Sequence, residues 1–309
     1  MTLSEPVILG TRGSKLALVQ ANACAERLRK TGLEVEVRTI RTTSEHHPNV
    51  PLSVIDQRDV FTRQLDEALL AGEIDLAVHS AKDVPTEVPE GIVLAAITER
   101  HDPRDALVSD AGCDVDGLPE GAVVATSSLR RRAQLLHRRP DLRTVEIRGN
   151  VDTRVRKMRE GQADALVLAR AGLDRLGLDV PHTVIPSETM LPAVGQGALA
   201  VATLEAHPLR ETICETLDHG PSARAVRAER AMLNTLEGGC RVPVGALGEM
   251  ADETRVRLRG LVASTDGALL YRGEAVGEEP EEVGERLARD LLAQGAAVVL
   301  GEIREVRSR

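Results

Sequence analysis

The sequence predicts an α/β protein whose last third forms a separate α+β region. Over the first two-thirds of the chain, short apolar runs such as residues 7–10 and 165–168 alternate with helical segments, which is the pattern of strand–helix units. From residue 242 onward, apolar residues alternate at period two between short turns, as in an antiparallel meander. At 309 residues the chain exceeds a usual single core, so two or three domains are expected.

Composition narrows the class of protein. Apolar residues make up 42% of the chain and charged residues 28%, as in an ordinary globular protein, whereas aromatic residues make up 1%. Two rings, those of Phe61 and Tyr271, are too few to bind single-stranded nucleic acid by base stacking. The chain has no long apolar run and no basic-then-apolar N-terminus. Neither a membrane helix nor a secretory signal is therefore predicted, and a cytoplasmic location is expected.

The cysteines predict neither a metal site nor a disulfide framework. They are far apart in the sequence, form no Cys-x-x-Cys pair and have no paired histidines to complete a ligand set. The four are Cys24, Cys113, Cys214 and Cys240.

The charge is unevenly distributed. The net charge is −9, yet residues 121–160 carry eleven basic side chains against four acidic ones, a local balance of +7. An acidic chain with one cationic segment is typical of a protein that binds a polyanion. Most of these cations are arginines, whose planar guanidinium holds a carboxylate or phosphate by two parallel hydrogen bonds.

The first strand–helix units place polar residues where strands end. Arg12 and Ser14 lie in the turn after the first strand, which is either an anion site at a helix N-terminus or an ordinary turn. Lys82 and Asp83 follow the third strand, either as a surface ion pair or as charges directed into a cleft. Residues 41–59 form a long irregular segment, either a lid or disordered. The elements predicted here are strands over residues 7–10, 34–40, 74–78 and 92–98, and helices ending near residues 30 and 70.

Three later strands also end in hydroxyls or arginines. A solvated basic face would scatter its arginines around the helices, whereas these cluster at the turns, which favours a converging anion site. Residues 100–105 and 191–198 are predicted to be two crossings between lobes. The strands cover residues 123–125, 145–147 and 165–168, and the turns and helices after them carry Thr126, Ser127, Ser128, Arg130, Arg131, Arg148, Arg154 and Arg175.

A lone thiol precedes the last third of the chain. Two glycines before Cys240 end a helical pattern, so the thiol is presented on a loop. Arg241 beside it favours the thiolate. The alternative is a helix cap followed by a small buried cysteine. The elements predicted around this loop are helices over residues 209–217, 223–236 and 281–293, strands over 244–250, 256–263 and 268–275, and a hairpin turn at Asp266-Gly267.

Six motifs, taken in order, resemble the porphobilinogen deaminase family, also called hydroxymethylbilane synthase, over essentially the whole chain. They are Thr-Arg-Gly-Ser-Lys-Leu-Ala-Leu from Thr11, Ala-Val-His-Ser-Ala-Lys-Asp-Val-Pro from Ala77, Thr-Ser-Ser-Leu-Arg-Arg from Thr126, Arg-Gly-Asn-Val-Asp-Thr-Arg from Arg148, Leu-Pro-Ala-Val-Gly-Gln-Gly-Ala from Leu191 and Leu-Glu-Gly-Gly-Cys-Arg-Val-Pro from Leu236.

The resemblance implies a fold and an activity. The fold has two periplasmic-binding-protein-like (type II) α/β lobes and a C-terminal α+β domain with a small antiparallel sheet. The implied boundaries are residues 1–99 and 198–218 for the first lobe, 100–197 for the second and 219–309 for the C-terminal domain. The activity is that of a transferase, expected to be a monomer, which joins four porphobilinogen molecules head to tail with loss of ammonia. The growing chain is held on a dipyrromethane cofactor, attached by a thioether to Cys240, and is released as hydroxymethylbilane.

The resemblance also implies roles for individual residues. By motif position Asp83 is the carboxylate that accepts pyrrole N–H bonds and stabilises the positive charge formed on the pyrrole nitrogen. Each pyrrole carries an acetate and a propionate, which require cations and hydroxyls around them. By motif position that lining is Arg12, Ser14, Lys82, Thr126, Ser127, Ser128, Arg130, Arg131, Arg148, Arg154 and Arg175.

One region departs from the family pattern. In place of a lid rich in lysine and glycine, the chain has bulkier and more acidic residues, with Arg58 standing for one lysine and Phe61 retained. Closure of the lid is therefore expected to differ from that in the family.

Two other functions are alternatives to the transferase. A two-lobed polycarboxylate-binding or sensor protein would leave Cys240 without a role. A nucleic-acid binder is disfavoured by the acidic net charge and the scarcity of aromatic residues.

Overall fold

The structure is a computed structural model that describes residues 6–41, 62–236 and 242–308. The chain divides into two compact units. Unit 1 comprises Met1–His101 and Ala198–Ala223, and unit 2 comprises Asp102–Gly197 and Arg224–Arg309. The predicted lid residues Arg58 and Phe61, and the predicted attachment residue Cys240, lie outside the described residues.

The described elements follow the α/β pattern until residue 242 and then change to three consecutive strands. The strands are β1 (Val7–Thr11), β2 (Val35–Thr39), β3 (Leu76–Ser80), β4 (Ile92–Ile97), β5 (Asp105–Val108), β6 (Val123–Ala125), β7 (Arg143–Val145), β8 (Ala165–Ala169), β9 (His182–Val184), β10 (Leu199–Leu204), β11 (Val244–Met250), β12 (Val256–Ala263) and β13 (Leu270–Gly277). The α-helices are α1 (Lys15–Arg29), α2 (Arg63–Leu70), α3 (Leu129–Arg138), α4 (Val151–Lys157), α5 (Arg170–Leu176), α6 (Arg210–Leu217), α7 (Gly220–Thr235), α8 (Pro280–Leu291) and α9 (Ala297–Ser308).

Unit 1 is built on a five-stranded sheet in the order β2-β1-β3-β10-β4. β1 pairs in parallel with β2 and β3, whereas β10 runs antiparallel to β3 and β4. Side chains alternate along β3. Leu76 and Val78 therefore pack in one cluster with α1 and α6, and Ala77 packs in another with α2. The two apolar faces fix the strand between helices on both sides.

Unit 2 contains a second five-stranded sheet in the order β7-β6-β8-β5-β9. β6 is parallel to β7 and β8, and β5 is antiparallel to β8 and β9. In both sheets the strand that follows a crossing segment fills the fourth position and runs antiparallel to its neighbours. The two sheets therefore share one topology, although the chain enters them by different routes.

A three-stranded antiparallel sheet, in the order β11-β12-β13, forms the rest of unit 2. α8 covers it through Leu287 and Leu291. Gly284 allows α8 to approach α7 closely, because a Cβ at this position would lie 2.3 Å from the carbonyl oxygen of Ala228. The sheet also contacts the preceding part of unit 2, where Ala246 N–H donates to the carbonyl oxygen of Pro192 at 2.9 Å. The division into three domains stays a prediction.

The predicted fold class is confirmed by the two α/β sheets and the small antiparallel sheet. Several element bounds differ from the prediction. β3 lies two residues later than predicted, and β7 two residues earlier. β5, β9 and α9 were not predicted. β5 is four residues long and directly follows the polar crossing segment, and β9 is three residues long and half-buried, so both are too short for a clear apolar pattern.

Candidate active site

In unit 1, the predicted site residues lie where parallel strands end. Arg12 and Ser14 follow β1, and Lys82 and Asp83 follow β3 on a short 3-10 turn over Ala81–Asp83. Since β1 and β3 are parallel neighbours, their carboxyl ends meet at one edge of the sheet. Ser14 is also the N-cap of α1, where its hydroxyl accepts a hydrogen bond from Ala17 N–H at 3.3 Å.

Arg12 and Asp83 are brought together by this edge. Arg12 Nη1 lies 3.9 Å from Asp83 Oδ2, and the Asp83 side chain is 32% exposed. At this distance the two side chains form an ion pair but not a hydrogen bond. Across the described part of the chain, no hydrogen bond reaches the Asp83 carboxylate. Its oxygens can therefore accept hydrogen bonds from a ligand.

Gln20, His79 and Ser80 also lie at this edge and were not predicted to be site residues. Gln20 is buried in α1 and donates through Nε2 to Ser80 Oγ at 3.0 Å, at the end of β3. His79 is also buried, and burial together with the positive charge of Arg12 lowers the pKa of His79 to about 4. His79 is therefore neutral at physiological pH. A polar residue on the buried face of a helix was the available signal for Gln20.

In unit 2, three hydroxyl residues follow β6. Thr126 is buried, and its hydroxyl accepts a hydrogen bond from Ser128 N–H at 3.2 Å. Ser127 donates through its hydroxyl to the carbonyl oxygen of Ile147 at 2.7 Å. Ser128 is the N-cap of α3 and accepts from Arg131 N–H at 3.4 Å. The hydroxyls thus shape the N-terminal turn of α3, which places partial positive charge beside them.

Arg130 and Arg131 in the first turn of α3 are buried, with 5% and 7% of each residue exposed. Both bind Asp105, the first residue of β5, which is fully buried. Arg130 Nη1 donates to Asp105 Oδ2 at 2.7 Å, and Arg131 donates to Asp105 Oδ1 from Nε at 3.1 Å and from Nη2 at 2.8 Å. Gln196 Nε2 adds a third donor to Oδ1 at 2.8 Å.

The charges in this cluster determine which groups stay ionised. Burial alone would raise the pKa of Asp105, but the charges and hydrogen bonds of Arg130 and Arg131 outweigh it and hold the pKa well below its usual range. Burial lowers the pKa of Arg130, and Asp105 counteracts that effect. An arginine keeps its proton in proteins. Two cations therefore face one anion, which leaves a net positive charge inside unit 2 that a ligand carboxylate can neutralise.

Of the other predicted arginines, Arg148 lies in the turn after β7, whereas Arg154 and Arg175 lie in the last turns of α4 and α5. Arg148 is near Glu146, with Nη2 and Oε2 4.0 Å apart. Arg154 on α4 donates through Nε to the carbonyl oxygen of Gly149 at 2.7 Å. Arg175 on α5 donates to the carbonyl oxygen of Gly197 at 2.6 Å. Because β6 and β7 are parallel, the turn that carries Arg148 lies at the same edge of the sheet as Thr126.

Other cations of residues 121–160 pair with acidic side chains at the surface. The ion pairs are Arg138 with Asp116, Arg139 with Asp141, Arg156 with Glu160 and Arg159 with Asp110. The sequence count of +7 therefore overstates the charge offered to a ligand. The buried and strand-end arginines are the part of that segment that forms the candidate site.

The residues on both sides of the Cys240 segment are anchored in one core. Leu236, directly after α7, and Val242 belong to the same apolar cluster, with 1% and 8% exposed. α7 itself is held by Glu229, a fully buried carboxylate. It accepts hydrogen bonds from Gly195 N–H at 2.6 Å and from Gly248 N–H at 2.7 Å. Glu229 thus joins α7 to the return crossing and to β11.

Two features are absent from the residues that the structure describes. Among them, no group of three or more His, Cys, Asp and Glu side chains is arranged to hold a metal ion. Within the same residues, no helix combines the length and apolar character needed to cross a membrane.

Two α/β sheets of equal topology, each with cations and hydroxyls at the carboxyl ends of its parallel strands, define a two-lobed protein that binds a polyanionic ligand. One of the lobes adds a carboxylate that can accept hydrogen bonds. The chain belongs to the porphobilinogen deaminase family. Residues 7–210 match the family's "dipyromethane cofactor binding domain", and residues 223–293 match its "C-terminal domain".

Curated relatives are similar over almost their full length. A porphobilinogen deaminase of Rubrobacter xylanophilus is 69% identical over 301 residues, which cover 97% of this chain and 98% of the relative. One of Desulforudis audaxviator is 49% identical over 308 residues, with 98% and 99% covered. Family membership therefore rests on the whole chain.

Some solved structures are similar to this chain at a much lower sequence identity. A methionine-binding protein, MetQ, is 16% identical with a TM-score of 0.44, covering 68% of this chain and 89% of that chain. A periplasmic substrate-binding protein of Coxiella burnetii is 18% identical with a TM-score of 0.42, covering 72% and 96%. The family assignment rests on the sequence relatives alone.

Proposed function

We propose that Asp83 is the catalytic carboxylate of this enzyme and that Cys240 carries its cofactor. The chain is a transferase that polymerises porphobilinogen to hydroxymethylbilane, and its cofactor is dipyrromethane. The observation that carries the proposal is the Asp83 carboxylate. It lies at the end of a parallel strand, is partly exposed and accepts no hydrogen bond from the described chain.

The residues of unit 2 fit a cofactor that carries carboxylates. Arg130 Nε is buried and has no hydrogen-bond partner among the described residues. A buried donor of this kind is costly unless a partner reaches it. Thr126 and Ser128, at the N-terminus of the same helix, carry hydroxyls that can also donate to a ligand. A negatively charged group bound at this turn would accept a hydrogen bond from Arg130 Nε and would also balance the net positive charge of the cluster.

Each protein group has a distinct task in the reaction. The bound dipyrromethane supplies a pyrrole with a free α-carbon as the point of attachment for substrate. Asp83 accepts a hydrogen bond from the pyrrole N–H and stabilises the positive charge that develops on that nitrogen. Arg12, Ser14 and Lys82 bind and orient the acetate and propionate groups of pyrroles in unit 1. In unit 2, the same task belongs to Thr126, Ser127, Ser128, Arg130, Arg131, Arg148, Arg154 and Arg175.

The lid proposal concerns residues outside the described part of the chain. Arg58 is proposed to supply a cation to a pyrrole carboxylate, and Phe61 to shield the site from water. The glycines of the family pattern are replaced in this segment, whereas the proposed bond-forming residues are retained.

The proposal is tested by the intact mass of the purified protein. The mass should exceed the sequence mass by one dipyrromethane, and peptide mapping should place the excess on Cys240. Cys240→Ser should remove the excess and the activity. Cys214→Ser is the matched control, because Cys214 is a free thiol exposed on α6, and it should retain both. An unmodified protein that stays unmodified after incubation with porphobilinogen would indicate a polycarboxylate-binding protein without catalysis.

We further propose a cytoplasmic monomer. Cys24, Cys113 and Cys214 are free thiols, as in proteins of reducing compartments. Among the described residues, the large apolar side chains that are exposed are Leu70, Val145, Leu269 and Val298, which is a small set for an oligomer interface. Light scattering should give the 33.2 kDa of a single chain. A concentration-independent dimer mass would contradict the monomer.

A further inference from the structure

We propose that the β12–β13 hairpin, residues 264–269, is a positioning element for the cofactor. It holds α3, whose first turn carries proposed cofactor-binding residues, in a fixed position relative to the segment that carries Cys240. The positioning residues are Gly267 on the hairpin and His137 on α3. This inference rests on the proposed function, because it names what fixes two parts of the proposed cofactor site relative to each other.

Gly267 brings the backbone of the β12–β13 hairpin directly against the backbone of α3. A Cβ at Gly267 would lie 2.6 Å from both the carbonyl oxygen of Ala133 and the amide nitrogen of His137. These two groups, four residues apart in α3, are partners in a helical hydrogen bond, so neither can move aside without disturbing the helix. Gly267 also has a φ of +76°, which other residues rarely adopt. Two independent features therefore require glycine at this position.

Polar contacts fix the orientation of the hairpin on the helix. His137 Nδ1 lies 2.9 Å from the carbonyl oxygen of Gly267. A carbonyl oxygen only accepts, so Nδ1 carries the proton and donates. Hydrogen bonding by Ser264 lowers the pKa of Asp266, and the positive charge of Arg132 on α3 lowers it further. The hairpin therefore meets α3 through a hydrogen bond and opposite charges as well as through packing.

α3 is packed between two sheets of unit 2. Leu135 lies in an apolar cluster with residues of β5, β6 and β8. Ala133 lies in a different cluster with Leu261 and Ala263 of β12. Because α3 is one short helix of 10 residues, a displacement at Ala133 also displaces the turn that begins at Leu129. A change at the hairpin is therefore transmitted to the first turn of α3.

The end of the sheet that bears the hairpin also receives the chain from Cys240. Ala263, the last residue of β12, donates through its N–H to the carbonyl oxygen of Pro243 at 3.0 Å. Val244, the first residue of β11, pairs with Val262. Pro243 follows Cys240 by three residues. The attachment segment and α3 are therefore both held by the same end of one sheet.

This arrangement gives the hairpin an effect on the reaction. A ligand that is tethered at one point and bound by its carboxylates at another is oriented only if the two points keep a fixed separation. A misplacement of about 1 Å lowers the rate of a positioned reaction by up to about 10²-fold. Gly267 and His137 are therefore expected to act on turnover, although neither lies in the first turn of α3.

The experiment compares Gly267→Ala with Gly32→Ala, a matched control. Gly32 also has a positive φ, of +92°, but a Cβ there would meet no atom within 4 Å. Turnover is measured per loaded molecule, with loading taken from the intact mass. Gly267→Ala should lower kcat about 10- to 100-fold and change KM by less than about twofold, because misalignment acts on the reaction and not on capture of substrate. Gly32→Ala should keep the wild-type values.

His137 supplies a second pair of variants that leaves the backbone unchanged. His137→Leu removes the donor to the carbonyl oxygen of Gly267, whereas His137→Asn keeps an N–H₂ donor near the position of Nδ1. His137→Leu should lower kcat about 3- to 10-fold, the effect of one hydrogen bond. His137→Asn should restore most of that loss.

Hydrogen exchange of residues 126–138 tests the contact without the cofactor. In Cys240→Ala, which cannot attach the cofactor, adding Gly267→Ala should raise the exchange rate of this segment at least about tenfold. Leu291→Ala is the control for a general loss of stability, because Leu291 lies in the apolar cluster on the other face of the sheet. It should lower the thermal midpoint but keep the exchange rate of this segment, and kcat per loaded molecule, near those of wild type.

Normal kcat in Gly267→Ala, or an equal loss of kcat in Leu291→Ala, would overturn the proposal. Equal turnover of His137→Leu and His137→Asn, or unchanged exchange of residues 126–138, would overturn it as well. If Gly267→Ala does not fold, the two His137 variants decide the proposal by the same criteria. A wild-type protein without covalent mass on Cys240 would instead refute the proposed function, and would be seen before any variant is compared.

Discussion

At the end of β3, Asp83 is placed where a charged side chain can act on a ligand without rearrangement of the fold. Arg12 Nη1 lies 3.9 Å from its Oδ2, and the Asp83 side chain is about one-third exposed, at 32%. We predict that Asp83→Asn keeps the fold and the covalent cofactor but lowers turnover by about 10²- to 10⁴-fold, because the neutral amide stabilises developing positive charge poorly.

The measurement for Asp83→Asn is the rate of hydroxymethylbilane formation, with intact mass to confirm loading. Asp116→Asn is the matched control, since Asp116 pairs with Arg138 at the surface of unit 2. The control should retain normal turnover. Near-normal turnover in Asp83→Asn would refute the catalytic role.

His79 gives the stability of the protein a dependence on pH. Burial lowers the pKa of His79 from 6.5 to about 4, so the folded chain holds a neutral ring while the unfolded chain binds a proton below pH 6.5. The stability from the neutral ring is present above pH 6.5 and is lost as the pH falls toward 4. Between pH 7 and 5, wild type should lose about 2 kcal/mol more free energy of unfolding than His79→Gln.

Urea unfolding at pH 7, 6 and 5 measures this difference. His101→Gln, at an exposed position, controls for the chemical change itself and should follow wild type. An identical pH dependence in wild type and His79→Gln would show that His79 binds no fewer protons in the folded state.

At the residue scale, the sequence predicted polar side chains that lie next to strand ends and missed those that act over long distances. Arg12, Thr126 and Arg148 could be found because the strand before each one is recognisable. Asp105 could not, since its partners Arg131 and Gln196 are 26 and 91 residues away. A single aspartate after a polar crossing carries no local sign of two buried arginines.

Among the elements, α7 depends on one buried charge. The two oxygens of Glu229 accept from Gly195 and Gly248, and Gly248 leaves no room for a side chain because a Cβ would lie 2.6 Å from the carbonyl oxygen of Ala225. Strand β11 and α7 therefore meet backbone to backbone. The apolar pattern predicted both elements, whereas the carboxylate that joins them was not predicted.

We predict that Glu229→Gln lowers the thermal midpoint by about 5–10 °C, since an amide has one acceptor and would place its N–H₂ against a backbone N–H. The covalent loading of Cys240 should fall as well, because α7 leads into that segment. Glu281→Gln is the control, as Glu281 forms an exposed ion pair with Arg227, and its midpoint should change by less than about 2 °C. Equal shifts in the two variants would contradict a special role for the buried carboxylate.

For the whole molecule, the repeated topology explains why one type of turn recurs in both units. Parallel strands place their carboxyl ends at a common edge, and the turns there carry donors in each sheet. The alternation of strands and helices predicted the α/β class, whereas the two-lobed architecture was implied by the family resemblance. Strands that depend on pairing between distant segments, β5 and β9, were missed because their stability comes from the sheet and not from their own sequence.

The charge pattern of the whole chain predicts how the enzyme responds to salt. The net charge is −9, so attraction of the two carboxylates of a substrate pyrrole comes from local cations and is screened by ions. Buried charges are screened less than exposed ones, and Arg130 is 5% exposed while the Arg148 side chain is 31% exposed. From about 0.05 to 0.5 M salt, KM for porphobilinogen should rise about two- to fivefold, with kcat nearly constant.

Arg148→Gln should weaken this salt dependence because it removes an exposed cation at the strand edge. Arg138→Gln should leave it unchanged, since Arg138 is paired with Asp116 away from that edge. Initial rates at several salt concentrations separate the two, and a salt dependence weakened equally by both variants would show that overall charge, and not the strand-edge cluster, attracts the substrate.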